Sequence, residues 1–312
     1  MIISCVEPLG IKKSRFEQIE KHYSEKGHTF KFYLDRDERV EAMTERMRDA
    51  DVVAVSNIRL PREVLEQCGN LKYLSVAFTG LDHIDLDYCR QKGIVVQNAA
   101  GYSTTAVSEL AVGMMIDLLR QVTRLDGVIR DGKGRGLFLG RELRGKTVGV
   151  VGTGAIGTAT IRLLLAFGCK VLAYNRSRHP DVEAMGVEYV DLDCLLRQSD
   201  IVTLHVPMSQ ETRGLISRER LRMMKPASLL VNTARGPVCD IAAVAEALTE
   251  GLLSGAAFDV FEQEPPLPSD HPLLSAPNCL LTPHVAFATE ESFAQRADIV
   301  FSHIDAFIDS RI

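Results

Sequence analysis

The chain reads as an α/β protein of two units, each a parallel sheet with helices on both faces. Three observations predict this. Short β-branched runs alternate with helix-periodic segments, the order that builds parallel sheets. The alternation occurs twice, interrupted by a long apolar-striped segment and a glycine-rich loop. The 312 residues also suffice for about two domains, at the usual ~100–200 residues each.

In the first third, MIISCV, FKFYL, DVVAVS, LKYLSVAF and IVVQN are strand candidates. KSRFEQIEKHYSEKG, RVEAMTERMRDA and REVLEQCG lie between them, with apolar residues at helical spacing. TTAVSELAVGMMIDLLRQVTRL then predicts one long helix, and DGKGRGLFLGRELRGK a loop. Strands resume with TVGVVG, KVLAYN, VEYV, DIVTLHV, SLLVNTA, SGAAFDV and NCLLTPH, and ESFAQRADIVFSHIDAFIDS predicts a last helix. These make two α/β units, the second beginning near the long helix and ending near His284.

Composition narrows the functions. Lys plus Arg is 36 and Asp plus Glu 41, a net charge of −5, which gives no long-range pull on nucleic acid or anionic lipid. No apolar run approaches the ~20 residues that span a bilayer, and MIISCVEPLG is too short and uncharged for a secretion signal. The seven cysteines (Cys5, Cys68, Cys89, Cys169, Cys194, Cys239 and Cys279) are scattered without a CxxC. A disulfide framework or a metal site needs clustering, so neither is expected, and a reducing, cytoplasmic setting is.

VGVVGTGAIGTATIRLLLAFG places Gly152, Gly154 and Gly157 in G-x-G-x-x-G spacing, with Ala155 and Ile156 inside it, between an apolar strand and an Ala/Leu-rich helix. That context favours a dinucleotide pyrophosphate at the helix N-terminus over a bare turn. About 20 residues on, an NAD site usually carries an acid for the ribose hydroxyls. This chain has Asn175, Arg176, Ser177 and Arg178. No carboxylate repels a 2′-phosphate there and two guanidiniums are available to bind one. NADP is favoured over NAD; arginines that simply face solvent are the competing reading.

Three further stretches place polar residues just past apolar strands. LVNTARGPVCD carries Arg235, GAAFDVFEQEPP carries Asp259 and Glu264, and LLTPHVAF carries His284. Carboxyl ends of strands in a doubly wound sheet line one crevice, where ligands bind. Structural alternatives exist: Arg235 as partner of Asp240, Glu262 as the acid beside His284, and Asp259 as a turn cap.

Nearly end to end, the chain resembles the D-isomer-specific 2-hydroxyacid dehydrogenase family. The resemblance rests on AGYSTTAVSEL, ELRGKTVGVVGTGAIG, LHVPMSQETRGLI, NTARGPVCD, AFDVFEQEP and TPHVA, in family order. It implies a Rossmann-type dinucleotide-binding domain, 100–287, and a flavodoxin-like substrate domain, 1–99 with 288–312. It also implies Arg235 as the group that binds the substrate carboxylate and polarises its carbonyl. His284 is implied as general acid–base, Glu264 as its partner, and Asp259 as a contact to the nicotinamide carboxamide. Reduction of a 2-keto acid builds negative charge on the carbonyl oxygen. An imidazolium can quench that charge and a guanidinium can stabilise it, while a neighbouring carboxylate favours the charged imidazole.

The resemblance further implies backbone contacts to the substrate carboxylate from Phe78, Thr79 and Gly80, though Thr79 could equally only shape that loop. Asn98 falls at the expected hinge. Val206, Pro207 and Thr212 are expected at the adenosine and ribose, and Thr233 and Ala234 beside the nicotinamide. A homodimer through the helix at about 103–122 is implied, as is closure of the two lobes on the substrate.

The sequence departs from many relatives in having no tryptophan, which bears on the dimer arm. Phe287 replaces the usual small residue three past the histidine and either walls the pocket or joins the core. In VAVSNIRLP the arginine of the phosphoglycerate branch aligns with Val55, and Arg59 is offset, which disfavours a phosphorylated substrate. Glutamate at 264 argues against formate oxidation. The expected activity is hydride transfer between NAD(P)H and a small 2-keto acid of the glyoxylate, hydroxypyruvate or pyruvate type. A non-catalytic dinucleotide sensor and a phosphoglycerate dehydrogenase are the alternatives.

Overall fold

The structure, a computed structural model, describes residues 1–263 and 265–311. The chain divides into two compact units, Met1–Ser103 with Ala288–Ile312, and Thr104–Phe287.

In the first unit, β1 (Ile2–Cys5), β2 (Thr29–Phe32), β3 (Val52–Val55), β4 (Tyr73–Val76) and β5 (Val95–Asn98) form a parallel sheet in the order β2-β1-β3-β4-β5. Every residue of β3 and β4 is buried. Strands covered on both faces need apolar side chains on both faces, hence continuous runs such as VVAV. The helix Lys13–Glu25 buries Phe16, Ile19 and Tyr23, one stripe at helical spacing, and Phe16 stacks on Phe32 with centroids 5.2 Å apart. The helix Glu290–Asp309 returns to the same sheet. Thr289 and Ser292 form a capping box at its start, and the Phe307 ring stacks on Tyr73 at 4.4 Å.

The second unit holds β6 (Thr147–Val151), β7 (Lys170–Tyr174), β8 (Glu188–Tyr189), β9 (Ile201–Leu204), β10 (Ser228–Asn232), β11 (Leu253–Phe258) and β12 (Cys279–Leu281). They pair in parallel in the order β12-β11-β10-β9-β6-β7-β8. Order reverses at β6, where successive crossovers leave in opposite directions, and this is where a doubly wound sheet opens a crevice. One core cluster gathers Leu195, Leu196, Val244 and Leu248 on one face. Another gathers Met115, Leu118, Ile161 and Leu164 on the other.

The long helix differs from its sequence expectation. It runs from Thr104 to Arg120, and a second helix, Val122–Arg130, follows. Gln121 between them is left-handed, with φ 51°. The Asp117 carboxylate accepts the Thr123 N–H at 2.7 Å and its hydroxyl at 2.9 Å, a local side-chain bond that competes with the helical ladder. Apolar periodicity continues through the break, so pattern alone does not reveal it. Among the described residues no helix is long and apolar enough to cross a membrane.

Candidate active site

The phosphate loop is built by close packing. Gly152 follows β6 with φ 99°, and a Cβ there would lie 2.5 Å from the His205 carbonyl oxygen. A Cβ on Gly157 would lie 1.9 Å from the Gly152 carbonyl oxygen. Neither position accepts a side chain. Gly154 is different: a Cβ there meets nothing within 4 Å, and it precedes the helix Ala155–Ala166. Ala155 is exposed and Ile156 half-buried on the first turn. The open approach thus lies where unpaired helix N–H groups favour an anion.

Past β7, the Asn175 amide oxygen accepts the Thr153 N–H at 3.5 Å, and its nitrogen donates to the Ser177 carbonyl at 2.9 Å. Arg176 pairs with Glu211 at 3.3 Å and Arg178 with Glu183 at 3.6 Å. These are exposed pairs, worth little against a competing ligand. Past β9, Val206 is half-buried and Pro207 exposed. The Thr212 hydroxyl donates to the Pro207 carbonyl at 2.7 Å and accepts the Ser209 N–H at 2.8 Å, which closes that loop on itself.

The next three strands, β10, β11 and β12, are immediate neighbours, and Arg235, Asp259 and His284 follow their carboxyl ends. Asn232 closes β10 fully buried. Its nitrogen donates to the Arg235 carbonyl at 2.9 Å and its oxygen accepts the Ala234 N–H at 3.0 Å, fixing the turn that presents Arg235. Gly236 lets this turn lie against the next: a Cβ there would sit 2.1 Å from the Phe261 carbonyl carbon. Thr233 and Ala234 are buried, and among the described residues the buried Thr233 hydroxyl has no hydrogen-bond partner. Asp240 caps the helix Ile241–Thr249 by accepting the Ala243 N–H at 3.0 Å.

Asp259 is fully buried. Its carboxylate accepts the Thr282 hydroxyl at 2.5 Å, the Val285 N–H at 2.9 Å and the Ala286 N–H at 2.8 Å. Burial raises its pKa above the usual carboxylate range, against these bonds and the nearby His284. His284 sits inside this clamp with φ 54°, unusual for a residue with a side chain. Its imidazole meets the Phe287 ring edge to face at 5.5 Å, and both are half-buried. Glu262 pairs with His271 at 3.3 Å. Glu264, expected as the acid beside His284, lies outside the described residues. Asn232, Gly236 and Thr282 were missed from the sequence. Only Asn232 left a signal, as a polar residue closing an apolar run.

In the other unit, Phe78 is buried and its carbonyl accepts the Ala99 N–H at 3.1 Å. The Asn98 amide donates to the Thr79 carbonyl at 2.6 Å. The loop Phe78–Gly80 is thereby tied to the end of β5. Gly80 is half-buried and Thr79 exposed.

The residues present fit a dinucleotide: an open helix N-terminus at Gly154, no carboxylate at 175, and a buried hydroxyl at Thr233 that has no hydrogen-bond partner among the described residues.

Comparison with known proteins agrees. Residues 112–286 match the model of the D-isomer specific 2-hydroxyacid dehydrogenase, NAD binding domain. The glyoxylate reductase of Thermofilum pendens is 42% identical over 86% of this chain and 81% of its own length. The hydroxypyruvate reductase of Blautia hydrogenotrophica is 35% identical over 86% of this chain and 85% of its own. Among solved structures, an acyclic imino acid reductase (Bsp5) in complex with NADPH and D-Arg superposes with a TM-score of 0.89, at 26% identity, covering 99% of this chain and 98% of that one. The chain belongs to the D-isomer-specific 2-hydroxyacid dehydrogenase family and is an NAD(P)-dependent oxidoreductase of small 2-keto and 2-hydroxy acids.

Proposed function

We propose that the protein reduces a small 2-keto acid of the glyoxylate, hydroxypyruvate or pyruvate type to the D-2-hydroxy acid, with NADPH preferred over NADH. The observation that carries this reading is the delivery of Arg235, Asp259 and His284 from three adjacent parallel strands to one sheet edge. The names of the glyoxylate and hydroxypyruvate reductases it resembles support the substrate class. Asn175 in place of an acid, with Arg176 and Arg178 in exposed pairs, supports NADPH.

In this reading the bound dinucleotide supplies the hydride. The Arg235 guanidinium holds the substrate carboxylate and stabilises the charge growing on the carbonyl oxygen. His284 donates a proton to that oxygen, and takes it back in the oxidative direction. Glu264 pairs with the imidazole. Asp259 holds the loop that aims His284 and faces the nicotinamide end, with Thr233 and Ala234. Phe287 forms an apolar wall. Val206, Pro207 and Thr212 flank the ribose and adenine. The backbone of Phe78, Thr79 and Gly80 receives the carboxylate in the substrate domain, Met1–Ser103 with Ala288–Ile312, while Thr104–Phe287 is the dinucleotide domain.

The protein acts as a homodimer in the cytoplasm. Leu137 and Leu139 are 98% and 81% exposed beyond the helix pair, an apolar surface that self-association would cover. All seven cysteines are free thiols, as a reducing compartment keeps them.

The test is oxidation of NADPH and of NADH, side by side, with glyoxylate, hydroxypyruvate, pyruvate and phenylpyruvate. Faster turnover with NADPH is expected. Faster turnover with NADH overturns the cofactor preference alone. Dinucleotide binding without turnover of any 2-keto acid overturns the activity.

A further inference from the structure

The first unit contains a buried charged network at the carboxyl edge of its sheet. Glu7, just past β1, is 1% exposed, and Arg296, on the helix Glu290–Asp309, is 3% exposed. Both reach Ser56, just past β3 and 4% exposed. One Glu7 carboxylate oxygen accepts the Ser56 N–H at 2.7 Å and the Ile58 N–H at 3.2 Å. The other accepts the Arg36 guanidinium at 2.6 Å. Arg296 donates to the Ser56 hydroxyl at 3.1 Å and to the Leu9 carbonyl at 2.7 Å, and its guanidinium lies 4.4 Å from the Phe293 ring centroid and 5.6 Å from that of Tyr102. The Ser56 hydroxyl in turn donates to the Ala77 carbonyl at 3.3 Å. Ala77 immediately precedes the loop Phe78–Gly80.

Such a network is a costly way to hold a fold. Each charge loses its water, and burial lowers the pKa of Arg296 and raises that of Glu7. Apolar side chains of similar volume commonly fill such a space without loss of stability. What hydrogen-bonded charges add is directional: every loop they touch is held in one geometry. Here three segments past the neighbouring strands β1, β3 and β4 are tied to one serine.

We propose that Arg296 and Ser56 are positioning residues for 2-keto acid binding: through the Ser56–Ala77 bond they set the position of the loop Phe78–Gly80 that receives the substrate carboxylate. The inference rests on the proposed role of that loop. It assigns Arg296 no contact with substrate or dinucleotide. Loosening the network therefore raises the KM for the 2-keto acid and leaves dinucleotide affinity unchanged, because the dinucleotide loop belongs to the other unit.

The test uses the full-length chain with Arg296→Met, Arg296→Lys and Ser56→Ala. Steady-state kinetics with glyoxylate, dinucleotide affinity and thermal midpoint are measured for each. Arg296→Met retains volume and removes the buried charge, while Glu7 keeps Arg36 as its partner; the thermal midpoint reads whether the fold survives. Ser56→Ala removes a single hydroxyl and serves if it does not. The expected result is at least a tenfold rise in KM in Arg296→Met and Ser56→Ala, with kcat changed less than threefold and dinucleotide affinity unchanged. Arg296→Lys, which keeps a donor, restores part of the loss. Unchanged KM in folded variants, or a proportional fall in dinucleotide affinity, overturns the positioning role while the dehydrogenase reading stands. A wild-type chain that turns over no 2-keto acid overturns both.

Discussion

Asp259 accepts the backbone N–H groups of Val285 and Ala286, the two residues after His284, at 2.9 and 2.8 Å. One carboxylate therefore holds the chain on the far side of the histidine, while its bond to Thr282 holds the near side. The nicotinamide contact expected from family resemblance has to share oxygens that are already occupied.

Asp259→Asn separates these duties. An amide has one accepting oxygen in place of two, so at least one of the N–H groups loses its partner, a cost of about 1–3 kcal/mol for a buried donor. The expected outcome is a lower thermal midpoint together with at least a tenfold lower kcat. A variant with lowered dinucleotide affinity but wild-type stability would show that the carboxylate serves the nicotinamide and not the loop.

The left-handed backbone at His284 allows a paired test of role and strain. His284→Ala and His284→Gly both remove the proposed acid–base, a loss of about 10²–10⁴-fold in kcat, with dinucleotide binding retained. They differ in stability. A side chain at φ 54° costs about 1–2 kcal/mol that glycine does not incur, so the glycine variant melts at the higher temperature. Activity within threefold of wild type in either variant removes His284 from the mechanism.

Asn175→Asp introduces the carboxylate that an NAD site carries. The KM for NADPH is expected to rise at least tenfold through repulsion of the 2′-phosphate, and that for NADH to change little. An unaltered ratio of the two would mean that the ribose does not reach Asn175.

His205 gives the pH dependence a sign. Burial of its imidazole lowers its pKa to about 4, and its Nε2 lies 3.0 Å from the Thr203 hydroxyl. Between pH 6.5 and 4 the unfolded chain binds a proton that the folded one refuses. This contribution is fully present above pH 6.5 and is lost as pH falls towards 4. The thermal midpoint should fall through that window, and His205→Asn should flatten the fall. Equal slopes for both proteins would assign the acid sensitivity elsewhere.

The sheets were legible in the sequence because parallel strands are buried on both faces, and runs such as DVVAVS and SLLVNTA have no other reading between amphipathic helices. The positions of Arg235, Asp259 and His284 past the ends of three strands were legible because each is a polar residue within three positions of such a run. What escaped depends on side-chain bonding at a distance. The break at Gln121 comes from Asp117 reaching Thr123 across an unbroken apolar pattern. The need for a bare Gly236 comes from Phe261, and the burial of Glu7 and Arg296 from loops far apart in sequence. Periodicity carries no record of such pairs.

The helix Glu290–Asp309 completes a sheet begun at the opposite end of the chain, and the Ser75 hydroxyl donates to the carbonyl of Val300, 225 positions further along the chain. During synthesis the strands of Met1–Ser103 leave the ribosome without their final cover. They wait while Thr104–Phe287 is made, roughly 10–40 s at ~5–20 residues per second. The middle unit has all of its strands before that cover arrives, and so it folds first. The nascent N-terminal sheet is left with Tyr73 and the face around Ser75 open to solvent. Released chains that end before residue 290 should carry a protease-resistant middle and a digestible beginning, and the hazard of aggregation for this protein belongs to that interval.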